Sequence, residues 1–334
     1  MQPALRARVR QQEGDYKESI ITRQNSAKHM LEDFDPSNPG RLVLRSLGTP
    51  EASLLSQTRY GPVGRCIYCP NEKNLRLTDE HIIARSLDAS LILLKASCDS
   101  CSTVTSRIEL FVAREMWGDM RMRHNLPTRK PKDRPATLSV KAVYRDRDEQ
   151  IRVPREDYKA PFPVLWYPQA GILIGRDPTD KVQIYGEVWE WPSETTAKTL
   201  QATLAYSGKV DHIIFARMLA KIAHGYAVAQ MGLDGFIPML PDYILEQRPD
   251  VLHVVGGDPR FHTPSVHSST TTIHFLQLGV SEWPAGEFLT CEIRLFSTLA
   301  GLEGKGMPIY QVVIGRANNL TRSRLENAPY YQPL

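Results

Sequence analysis

Four of the chain's five cysteines form two like-spaced pairs, Cys66-x2-Cys69 and Cys98-x2-Cys101, with 28 residues between the pairs. Two residues between thiolates let each pair grip one side of a tetrahedral ion from a tight knuckle. Two such pairs complete a four-sulfur zinc site, whereas a thioredoxin-like redox centre needs only one, at a strand–helix junction. No apolar stretch follows Arg6, Arg8 and Arg10 near the N-terminus, so no secretory leader is expected. Without export there is no oxidising compartment to favour disulfides, and the pairs point to metal. No apolar run approaches the ~20 residues of a membrane span; the densest is Leu91-Ile92-Leu93-Leu94. The expectation is a cytoplasmic protein with no membrane contact.

The 28-residue insert is long enough to carry structure of its own, and it holds Thr78-Asp79-Glu80-His81-Ile82-Ile83-Ala84-Arg85-Ser86-Leu87. An imidazole titrates near neutrality and can take a proton from water. A carboxylate beside it can hold a hard cation such as Mg2+. The combination suits metal-assisted hydrolysis of a phosphodiester. On a regular strand Glu80 and His81 would point to opposite faces, while Asp79 would share the face of His81. Either the strand ends or bulges here, or Asp79 is the functional carboxylate.

The run of Cys66-x2-Cys69, Glu80-His81-Ile82-Ile83, Ala96-Ser97-Cys98-x2-Cys101, Thr105 and Glu109 resembles the zinc-containing branch of the HNH endonucleases. The likeness covers roughly residues 62–135. It implies a ββα-metal core in which His81 is the general base and Glu80 the acidic ligand of a catalytic Mg2+ or Mn2+. It also implies that Cys66, Cys69, Cys98 and Cys101 hold a structural zinc. The family position favours Glu80 over Asp79. The chain departs from the pattern at four places: Ala84 where many relatives have proline, Asp88-Ala89 for a Gly-Gly turn, Ser90 for asparagine, and Ser102 for asparagine or histidine. Only the first histidine of the motif's name remains. A serine oxygen, Glu109 or Asp88 would have to complete the metal's ligands.

The formal charge of +4 is concentrated. Arg121, Arg123, Arg129, Lys130, Lys132 and Arg134 face only one acid, Asp133, so residues 121–134 carry +5 and the rest of the chain is close to neutral. Arginine forks and lysines at this density suit the phosphate backbone of double-stranded DNA, positioning it without reading sequence. The alternative is that some arginines of a helix over Val104–His124 pair with Glu109, Glu115 or Asp119.

Around this segment the chain divides into an N-terminal arm over 1–60, with a helix expected near Asp15–Leu31, the zinc module over 61–135, and a larger domain over 136–334. In the last, Leu165–Ile174, Val182–Trp191, Leu289–Leu295 and Met307–Gly315 read as strands. Residues Val210–Met231 read as one long helix, with Ile214, Met218, Ile222 and Tyr226 on the apolar face and Arg217 and Lys221 on others. Cys291 falls on the apolar side of its strand and reads as a buried structural thiol. His253, His262, His267 and His274 match no ligand spacing, and Gly256-Gly257 reads as a turn. The expected fold is α+β: a small zinc-stapled ββα-metal module, dependent on zinc to fold, plus a mixed domain with antiparallel sheet and one long helix. The leading functional expectation is a metal-dependent endonuclease acting on DNA. The alternatives are a catalytically degenerate HNH-fold DNA-binding protein and a zinc-stabilised protein-interaction module.

Overall fold

The computed structural model describes residues 47–48, 58–70, 76–87, 91–144, 147–158, 160–190, 203–204, 209–257, 274–297 and 307–326. The helix expected near Asp15–Leu31, the Asp88–Ser90 departures, His262 and His267 lie outside them. The fold is mixed α+β, as expected. Its strands are β1 (Leu47–Gly48), β2 (Thr58–Tyr60), β3 (Leu77–His81), β4 (Leu91–Cys98), β5 (Thr137–Tyr144), β6 (Arg147–Pro154) and β7 (Pro161–Trp166). They continue with β8 (Tyr185–Glu190), β9 (Thr203–Leu204), β10 (Ile237–Pro238), β11 (Val255–Gly257), β12 (Phe275–Trp283), β13 (Gly286–Arg294) and β14 (Tyr310–Arg316). The helices are α1 (Asp99–Phe111), α2 (Gly118–Arg123), α3 (His212–Met231), α4 (Pro241–Ile244) and α5 (Asn319–Glu326).

Among the described residues the largest sheet is antiparallel, in the order β1-β12-β13-β14-β10, with β11 also paired to β14. A second sheet, β2-β4-β3, has β2 parallel and β3 antiparallel to β4. Smaller sheets are β6-β5-β9 and β7-β8. Helix α3 packs against both α1 and the central strands β13 and β14. Asp211 caps its start by accepting from the amides of Ile213 and Ile214, both at 2.9 Å. Gly232, at φ +64°, ends it in a conformation that a Cβ would strain.

Residues Val43–Leu334 form one compact unit. Its core runs without interruption across residue 135. Trp117, just after α1, lies edge-on to Phe215 and Phe296, with centroids 5.3 and 5.4 Å away, and tilted at 5.4 Å against Phe162. Its indole N–H donates to the Pro163 carbonyl at 3.0 Å. Each such aromatic pair contributes roughly 0.5–1.5 kcal/mol beyond its burial.

Three elements differ from expectation in instructive ways. The helix expected over Val104–His124 begins at Asp99 and opens into a π turn over Val112–Met116. The Trp117 amide there reaches back five residues to the Val112 carbonyl, at 2.9 Å, and the indole turns into the core. The strand expected over Leu165–Ile174 is β7, which stops at Trp166; Pro168 follows and has no amide to extend a ladder. Gly256 and Gly257 lie in β11, not in a turn. A Cβ on either would sit within 2.3 Å of the Pro168–Ala170 backbone or the Tyr167 carbonyl, so glycine permits a close backbone crossing. Cys291 is wholly buried on β13, where burial raises its thiol pKa, as a structural thiol requires.

Candidate metal centre and nucleic-acid interface

The four cysteines come together. Their sulfur atoms all lie within 4.8 Å of one another, and Cys69 Sγ and Cys98 Sγ are 3.8 Å apart. A tetrahedral zinc with Zn–S bonds of about 2.3 Å needs S···S spacings of roughly 3.8 Å, so the donor set fits the ion by chemistry and by size. Local backbone builds the clamp. After β2 the chain follows β4, with Val63, Gly64 and Ile67 amides donating to the Leu94, Lys95 and Ala96 carbonyls. Gly64 turns at φ +78° to swing Cys66 and Cys69 into place. The second pair straddles the junction where β4 passes directly into α1. Burial pushes the Cys98 thiol up, but hydrogen bonds from Ser100 and around Cys101 and Cys66 outweigh it and bring the pKa down to about 6. A thiol so poised is readily held as thiolate, the form that binds metal.

Two antiparallel strands lead into a helix, β3-β4-α1, and the predicted acid and base, Glu80 and His81, lie on β3. The β3–β4 register shifts between Thr78 and Glu80. Lys95 bulges there at φ +47°, and its amide donates to Asp79 Oδ1 at 3.1 Å. Asp79 is exposed, 3.8 Å from Arg59, while Glu80 is buried and His81 half-buried. Burial, with a smaller push from the nearby Lys221 ammonium, lowers the His81 imidazole pKa and favours its neutral form. Its Nδ1 is buried with no hydrogen-bond partner among the described residues.

The chain matches no family model, no curated protein and no solved structure.

The Glu80 carboxylate is not open. Lys221, from the middle of α3 and 1% exposed, places Nζ 2.7 Å from Glu80 Oε1 and 2.5 Å from Glu109 Oε1. The same ammonium donates to the His81 carbonyl and lies 3.4 Å from the Ile82 carbonyl. Burial alone would lower the Lys221 pKa, but the Glu109 and Glu80 carboxylates outweigh it and raise it. The Glu109 carboxyl pKa is raised as well, because burial outweighs the pull of the Lys221 ammonium. Ser102 donates its hydroxyl to the Asp99 carbonyl at 3.0 Å. These residues do not fit a catalytic divalent ion, because a cation already neutralises the carboxylates that would hold it.

One turn along α3, His224 reaches the Cys66–Cys69 knuckle, with Nε2 2.7 Å from the Ile67 carbonyl. Complete burial pushes its pKa down to about 4, so the ring is neutral and Nε2 is the donor. Gly225 faces Ile82, just past the end of β3, where a Cβ would make an ordinary 3.6 Å contact. Lys221 and His224 were missed because the helix reads from sequence as one-sided. The available signal was a cationic residue centred in a helix otherwise so apolar that all its faces had to be buried.

The six basic residues separate into two groups. The Arg121 guanidinium is a structural fork, donating to the carbonyls of Ser86 at 2.7 Å, Ala113 at 2.8 Å and Pro127 at 3.0 Å. Arg134 donates to Asn125 Oδ1 at 2.9 Å and to the Leu126 carbonyl. Arg123 is partly buried. Arg129, Lys130 and Lys132 are exposed, with Lys130 3.6 Å from Asp133. The acids named as partners within the helix are engaged elsewhere: Glu109 with Lys221, Glu115 with Lys209, and Asp119 with the Tyr158 hydroxyl. Of the described histidines in the later group, His253 ends a short 3-10 turn. His274 contacts the Leu87 carbonyl at 2.7 Å and accepts from the Phe296 amide at 3.2 Å. Among the described residues no helix is long and apolar enough to cross a membrane.

Proposed function

We propose that the protein binds duplex DNA through an HNH-type ββα module and does so without depending on hydrolysis. The observation that supports this reading is the path from β2 through β3 and β4 into α1, which gathers four cysteines into one clamp while holding Glu80 against Lys221. Cys66, Cys69, Cys98 and Cys101 would hold zinc, which supplies a cross-link that fixes the knuckles and the start of α1. Arg129, Lys130 and Lys132 are the exposed cations of the segment, Lys130 beside Asp133, and their contacts with phosphate oxygens would position the duplex rather than read it. Arg121 supports the same segment from inside. The hydrolytic reading retains one point in its favour: burial lowers the His81 imidazole pKa, which favours the neutral form that a general base needs.

The experiment is a duplex-binding titration across salt concentrations, run beside plasmid cleavage with Mg2+ or Mn2+. Binding that weakens steeply with salt, with no cleavage above an H81A control, is the expected result. Cleavage abolished by H81A would restore the endonuclease reading. No duplex binding at low salt would leave the zinc module as a protein-interaction element.

A further inference from the structure

The cage around Lys221 Nζ consists of oxygens alone. Two carboxylates come from β3 and α1, and two main-chain carbonyls come from the end of β3. Carboxylate and carbonyl oxygens converging on one buried point are the ligand set of a hard cation. Here the point is filled, and the filler is not drawn from the ββα core. Lys221 lies 140 residues after His81 and 112 after Glu109, in a helix whose neighbouring positions are buried on every side. An ammonium and a divalent ion cannot share the cage, since Mg2+ requires oxygens at about 2.0–2.1 Å in a near-octahedral shell. Nor is there room for the lysine to step aside. Its side chain is 1% exposed, and leaving would bury two carboxylates without a counter-charge.

We propose that Lys221 is the resident cation of this core, a tethered ammonium between Glu80 and Glu109 that excludes Mg2+ and Mn2+. Its removal opens a divalent-cation site made of those two carboxylates and the His81 carbonyl. The location rests on reading the site as a ββα-metal core, but metal binding can be measured without DNA. Failure to bind DNA would remove the proposed function and leave this inference untouched.

The test uses the full chain loaded with zinc and titrated with Mn2+, free Mn2+ being followed by electron paramagnetic resonance. Wild-type protein is expected to show no Mn2+ binding that E80Q removes, up to about 1 mM, the weak end for hard-cation sites. K221A is expected to gain one bound Mn2+ per chain, and K221A/E80Q to lose it. Wild-type binding that E80Q abolishes would overturn the inference. So would a K221A protein that melts cooperatively yet binds no more Mn2+ than wild type. If K221A does not fold, the wild-type and E80Q arms decide the exclusion, and K221M, which keeps volume without charge, replaces K221A for the opened site.

Discussion

The segment from β2 to α1 holds two cation-seeking clusters built on opposite plans. In the cysteine clamp every ligand is local, within 36 residues of chain, and the sulfur spacing suits an ion supplied from solution. In the carboxylate cage the ligands are equally local, but the cation is supplied by the chain itself from α3. The difference teaches what each cluster can respond to. The clamp answers to zinc supply and to thiol chemistry. The cage answers only to whether α3 is docked.

The largest effect that sharpens this contrast is expected at the clamp. Structural zinc contributes apparent binding energies of roughly 10–16 kcal/mol in small zinc folds. Chelation, or C98S, is therefore expected to abolish cooperative thermal unfolding while zinc content falls from one per chain to none. An unchanged melting curve in zinc-free protein would break the comparison at its first half. Next comes the cage. K221A leaves two buried carboxylates uncompensated and is expected to cost about 3–5 kcal/mol in urea unfolding. Adding E80Q should recover part of that loss. If K221A alone costs nothing, the ammonium is not what holds the cage together.

A third effect is comparable for a pair of sites and is read by pH. His224 and His274 each have folded-state values pushed down to about 4 by burial. The unfolded chain takes up these protons near pH 6.5 and the folded one does not. Stability from each is thus intact above about pH 6.5 and is lost as pH falls toward 4. The size is on the order of 3 kcal/mol per histidine. H224Q should flatten that limb of the stability–pH curve; an unchanged slope would show that His224 is not the group titrating. The smallest effect concerns the basic segment. Neutralising Arg129, Lys130 and Lys132 together should reduce the salt slope of DNA binding by about 2–3 without altering stability. R121A should do the reverse, because its fork holds three carbonyls together.

Much of the clamp was legible because it is a matter of spacing. Cys-x2-Cys needs only local backbone to make a knuckle, and local backbone is what a sequence specifies most directly. The alternation conflict at Asp79-Glu80-His81 also pointed to an irregular strand, and a register shift is present beside it. Helix α3 was legible in extent, from 210–231 as read to 212–231 as found. Its surroundings were not. Lys221 and Arg217 looked like solvent-side residues because periodicity reports one buried face, and only tertiary packing reveals that a second face is covered as well. Arg121 misled for a related reason: a guanidinium meant for phosphate and one meant for three carbonyls are the same letter. The π turn that seats Trp117 left no periodic signature, since one inserted residue merely shifts the phase.

The long reach of α3 has a consequence in time. The ββα segment leaves the ribosome well before Lys221 and His224, which partner atoms 140 and 157 residues upstream. Lys221 follows Glu109 by 112 residues, so at roughly 5–20 residues per second synthesis leaves the carboxylate pair without its counter-ion for about 6–22 s. During that interval the newborn chain presents an uncovered carboxylate pair beside a clamp able to take zinc, and cellular cations can sample it freely. Completion of α3 closes the interval. From then on the ammonium competes from within the chain, at a local concentration that no dissolved ion matches.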